Sequence, residues 1–101
     1  MSQVNAPKPL PTFESFRDRM LAAGHDEVLV RPWAAGTVVA PHTHPFAAEA
    51  LVVEGEMWLA IGDGPLQHLR PGDTFHLAAH ELHREHYGPD GATYWVARKS
   101  V

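Results

Sequence analysis

The chain contains no cysteine, so disulfide frameworks, zinc ribbons and thiol nucleophiles are excluded, and any metal it holds must sit on histidine and carboxylate. No apolar run approaches the ~20 residues that a membrane-spanning helix needs. The first residues, MSQVNAPKPLPTF, lack the apolar stretch of a secretory signal. The expectation is a cytoplasmic protein with no membrane partner. A basic excess is missing as well. Eight Lys and Arg stand against twelve Asp and Glu, for a formal charge of -4, and they are scattered, so no footprint for nucleic acid appears. What the sequence does have in excess is histidine: eight in 101 residues, most of them between His42 and His86.

A chain this short has room for one core, so a single domain is expected to carry whatever the protein does. Residues 1–11 hold three prolines and no hydrophobic period, which reads as a flexible N-terminal arm. Residues 12–101 read as the domain. Thr12 is a good helix N-cap, Phe13, Phe16, Met20 and Leu21 recur at helical spacing, and Gly24 can end the turn, so one helix is predicted over 12–23. Short apolar or alternating runs follow at about 26–33, 36–42, 48–54, 57–61, 66–70, 74–78, 83–87 and 92–99. Gly-Glu at 55–56, Gly-Asp-Gly at 62–64, Pro-Gly-Asp at 71–73 and Pro-Asp-Gly at 89–91 punctuate them. With no second helical stretch there is no βαβ unit, and the pattern predicts an all-β antiparallel sandwich or barrel with one short N-terminal helix.

His42-Thr43-His44 places two imidazoles at i and i+2, which share one face of an extended strand and can reach one ion. Their context is GTVVAPHTHPFAAEALVVEGE, and a second segment, PGDTFHLAAHELH, runs from a Gly-Asp turn to His83. The two segments together resemble the paired motifs of the cupins, over about residues 30–98. That resemblance implies a double-stranded β-helix, a jelly-roll barrel, with His42, His44 and His83 as ligands of one divalent transition metal per chain. It also implies a homodimer.

Family spacing counted back from Gly55 puts the usual first-motif carboxylate at Ala48, whereas spacing counted on from His44 allows Glu49. Side chains alternate along a strand, so Glu49 faces outward unless a bulge resets the register. Glu49 therefore stays open as a fourth metal ligand. Beyond His83, alternation turns Glu85 and Tyr87 inward, and Glu85 and His76 are the candidates for moving protons or orienting a ligand imidazole. His25, His68, His80 and His86 read as ordinary surface or loop histidines. Trp33, Phe46, Trp58, Phe75 and Trp95 read as cavity lining or as a dimer face.

Two functions fit these residues. One is a small metal-dependent enzyme, resembling the dioxygenases, isomerases or decarboxylases among single-domain cupins, that acts on a small oxygen-containing molecule. The other is a non-catalytic module that binds a metal or a small molecule. Three imidazoles accept iron, nickel, copper, zinc or manganese. Because ligation needs neutral histidine, with a reference pKa of ~6.5, the site is expected to empty below about pH 6.

Overall fold

The computed structural model describes residues 9–100. Most of the N-terminal arm, residues 1–8, lies outside the described residues. The helix α1 spans Phe13–Ala22, with Thr12 at its N-cap accepting the Ser15 backbone N–H at 3.1 Å. Gly24 follows at φ 100, a left-handed conformation that ends the helix at low steric cost. Phe16 is buried, and both Phe13 and Phe16 pack on Trp95.

Six strands follow: β1 Glu27–Trp33, β2 Val38–His42, β3 Phe46–Ile61, β4 Gln67–Leu69, β5 Thr74–Leu77 and β6 His83–Ser100. All pairings are antiparallel. β3 and β6 run beside each other for nearly their whole length, β1 and β2 pair with the two halves of β6, and β4 and β5 with the two halves of β3. The result is an all-β jelly roll, a double-stranded β-helix flanked by one helix.

Eight short runs became six strands because two expected turns are bends within continuous strands. Gly55 and Gly91 sit at φ 69 and φ 73 where β3 and β6 cross, and the register slips between Val52 and Glu54 and again between Gly55 and Met57. A Cβ on Gly55 would lie 2.1 Å from the Gly91 carbonyl oxygen, so the strands approach this closely only because the residue is glycine. The bend has a second effect. The residues of β3 in the main core cluster are Ala48, Ala50 and Val52 before it and Met57 and Leu59 after it. On β6 the buried residues of this face are His83, Glu85 and Tyr87 before and Ala92, Tyr94 and Val96 after. Parity therefore switches at the same corner on both strands, which keeps one face of each folded around a shared core. On the opposite face, Leu51 of β3 is buried and is the cross-strand partner of Trp95, on which the helix packs.

Candidate metal centre

His42 closes β2, His83 opens β6, and the two are cross-strand partners. His44 lies in the link to β3. Its carbonyl accepts the backbone N–H of His80 at 2.7 Å, so the loop before β6 holds the link in place. The ring centroids are 4.2 Å apart for His42 and His83, 4.6 Å for His44 and His83, and 5.1 Å for His42 and His44. One nitrogen from each ring lies within 4.8 Å of the other two.

Local hydrogen bonds set the ring states. His42 Nδ1 lies 2.8 Å from the Ala40 carbonyl and His83 Nδ1 3.0 Å from the Glu81 carbonyl. A carbonyl only accepts, so in each ring Nδ1 carries a proton, and the neutral tautomer this selects has its lone pair on Nε2. His83 Nε2 is buried with no hydrogen-bond partner among the described residues. An orphaned acceptor of this kind costs free energy in a packed interior. Burial, and after it the neighbouring His83, His42, Arg98 and Arg31, lower the His44 pKa from 6.5 to about 4, so this imidazole is neutral at pH 7. Three imidazoles converging on one point, one with an unsatisfied nitrogen, fit a divalent transition metal.

Glu85 joins the cluster from β6. It is 4% exposed, with Oε2 3.7 Å from His83 Nε2 and 3.8 Å from His42 Nε2. The Tyr87 hydroxyl donates to Oε1. Burial pushes the Tyr87 pKa far above its usual value, so the phenol keeps its proton and remains the donor. Its ring stacks on Trp33 at 4.9 Å.

Glu49 and His76 do not reach the cluster. Glu49 belongs to the stretch of β3 in which Ala48, Ala50 and Val52 face inward, and the register shifts that could have turned it come only after Val52. It points away, opposite His76 on β5, and bonds His76 Nδ1 at 2.9 Å on the outer face. The His76 side chain is 60% exposed. Of the candidates read from sequence, the structure thus assembles His42, His44, His83 and Glu85, and sets Glu49 and His76 on the other side of the sheet. Trp58 also lies outside the site, with His68 stacked on its ring at 4.5 Å.

The cluster opens onto a cavity of about 300 Å³. Trp33, Phe46 and Phe75 line it as expected, but so do Arg31 and Arg98, which sequence reasoning did not place there. Strand alternation could have found them: Arg31 shares a face with Leu29 and Trp33, and Arg98 with Tyr94 and Val96.

The AraC-like ligand binding domain model matches residues 24–97. No curated protein matches the chain. Among solved structures, a chain from crystal structures of DMSP lyases is 24% identical, with a TM-score of 0.68. The match covers 73% of the present chain and only 38% of that one. An RmlC-like cupin from Shewanella frigidimarina is 26% identical over 74% of this chain and 68% of its own, with a TM-score of 0.61. Oxalate decarboxylase from Bacillus subtilis is 18% identical over 81% of this chain and 23% of its own, with a TM-score of 0.67.

Proposed function

This chain belongs to the AraC-like ligand binding domain family, as a small cupin, and on that premise we propose that it is a metal-binding cupin, a small metal-dependent enzyme acting on a small oxygen-containing molecule. Residues 12–101 act as one cupin domain in this reading, as a homodimer in the cytoplasm. The observation that carries it is the buried, unpartnered Nε2 of His83 beside the Nε2 of His42 and the ring of His44. These three would hold one ion, of iron, nickel, copper, zinc or manganese. When bound, such an ion polarises an oxygen atom of the ligand.

The chain's own residues do the rest. Ala40 and Glu81 carbonyls orient the rings through Nδ1. Glu85 holds or moves a proton at Oε2, its other oxygen being fixed by Tyr87. Apolar walls at Phe75, Leu77 and Val96 limit water. The enzymes among the structural neighbours, a DMSP lyase and an oxalate decarboxylase, support catalysis on this scaffold. The family description favours a second reading, a module that binds its ligand without turning it over.

Elemental analysis of the purified protein tests the metal. About one transition ion per chain is expected, and little in His83→Ala or His44→Ala, with circular dichroism to check folding. A well-folded wild type that takes up no divalent ion on dialysis would sink the proposal. Oxygen uptake by the loaded protein with diketones, catechols and thiol acids then separates turnover from mere binding.

A further inference from the structure

The cavity walls carry an excess of donors and positive charge. Arg31 and Arg98 both line the cavity, and a guanidinium donates hydrogen bonds but accepts none. Arg31 makes no ion pair among the described residues, and its guanidinium carbon lies 5.1 Å over the Trp33 ring. Arg98 lies 4.7 Å over Phe46. Its Nη1 donates to the half-exposed Glu27 at 3.2 Å, while its Nε has no partner among the described residues. Both cations lie over aromatic rings, contacts that restrict where each guanidinium sits before any ligand arrives. Against them the cavity offers one carboxylate, Glu85, and Tyr87 already occupies one of its oxygens.

Phe46 connects this pair to the histidines. The His44 ring stacks on it at 4.6 Å, so one phenyl ring contacts both a candidate ligand imidazole and the Arg98 guanidinium. We propose that the cavity takes a small organic acid, its carboxylate bound by Arg98 and Arg31 and a second oxygen directed at the His42, His44 and His83 cluster. The inference rests on the proposed metal site and names its ligand class. A neutral molecule of the same shape leaves the Arg31 guanidinium and Arg98 Nε without an acceptor in a partly desolvated pocket, and a cavity of about 300 Å³ suits a small acid.

Calorimetric titration tests this. The probes are 2-hydroxy and 2-oxo acids of roughly three to five carbons, a size suited to a pocket of this volume, each alongside its primary amide. They are run on zinc-loaded and zinc-free protein and on Arg98→Met and Arg31→Met. Methionine keeps the stem packed on the aromatic ring and removes the fork. The expected result is that at least one acid binds about tenfold or more tightly than its amide, and that this preference disappears in Arg98→Met and shrinks in Arg31→Met. Equal binding of acids and amides, or a preference that survives in both variants, overturns the inference. Zinc content is measured on the same samples, so the two failures are distinct. A protein that takes up no zinc refutes the metal site, and an acid preference in that protein that is lost in Arg98→Met still sustains the anion site.

Discussion

Replacing Tyr87 by Phe removes the hydroxyl that donates to Glu85 and also meets the Tyr94 hydroxyl, and leaves the ring's surroundings in place. The ring is 4% exposed and stacks on Trp33 at 4.9 Å, contacts that phenylalanine keeps. What is lost is the hydroxyl donor to Glu85, a carboxylate that is itself 4% exposed and so has little water to replace it. A hydrogen bond to a charged group is worth roughly 1.5–3 kcal/mol, and in a domain of this size that lowers the melting temperature by about 10 °C. The assay is thermal unfolding of the metal-free protein at pH 7. Glu85→Gln is the companion variant. The amide oxygen still accepts from Tyr87 while the buried charge disappears, so the metal-free protein is expected to melt within about 1 kcal/mol of wild type. Removing that charge 3.7 Å from His83 Nε2 should instead weaken metal retention by about 10–100-fold.

The same pair gives an alkaline signature. Burial raises the pKa values of Tyr87 and Tyr94 above the usual 10.0, so the unfolded chain releases these protons first. The stability involved is complete below pH 10 and is lost as pH rises beyond it. Tyr87→Phe should flatten that loss. A Tyr87→Phe protein that melts within about 2 °C of wild type, and declines as steeply at high pH, would refute the assigned role of the hydroxyl.

Acid should act through His44. Its pKa falls from 6.5 to about 4 on folding, so the unfolded chain binds the extra proton, and the metal-free protein loses stability as pH drops through that window. Unfolding midpoints in urea across pH 7 to 4 should show the slope in wild type and not in His44→Gln, and metal content over the same range tests whether acid empties the site. Gly55→Ala should cost more than ~3 kcal/mol, because its Cβ meets the Gly91 carbonyl at 2.1 Å. Gly62→Ala, with φ 57 and nothing within 4 Å, should cost only about 1–2 kcal/mol; equal denaturant midpoints for the two would contradict the close approach. Glu49→Gln and His76→Ala should retain the metal content of wild type, since both side chains lie on the outer face. A loss in either would return Glu49 to the ligand set.

The histidine trio was legible because the two segments resemble the cupin motifs, which pair His42-Thr43-His44 with a histidine at a set distance from a Gly-Asp turn; the expected single strand for the first pair did not form, since β2 ends at His42 and His44 lies in the link to β3. Alternation correctly turned Glu85 and Tyr87 inward. The strand count was not legible, because Gly55 and Gly91 look like turn residues in one dimension and act as bends only when β3 and β6 lie together. Glu49 depended on the same corner. A bulge before it would have turned it inward, and local sequence does not say on which side of residue 49 the bulge falls. Arg31 and Arg98 were not read as cavity lining because charged residues near strand ends usually face solvent. Their inward direction follows from parity, but the placement of Arg98 over Phe46 is a tertiary contact that no local pattern encodes.

A barrel held together for its own sake would fill this interior with apolar side chains, since a buried ion or an orphaned nitrogen costs stability that a packed methyl group does not. His83 and Glu85 are 1% and 4% exposed, and neither imidazole Nε2 beside Glu85 is close enough to it for a hydrogen bond. The metal-free fold therefore carries a local destabilisation that an ion would relieve by taking the lone pairs and offsetting the carboxylate charge. An ion that binds the folded chain alone stabilises it by about 2.7 kcal/mol at a hundredfold excess over Kd, a rise of about 10 °C for a chain of this size. Thermal melts during a zinc titration should show that rise in wild type and much less of it in His83→Ala. A wild-type melting point that stays fixed while zinc is demonstrably bound would mean that the unfolded chain binds it equally well, and that the fold does nothing to converge these rings.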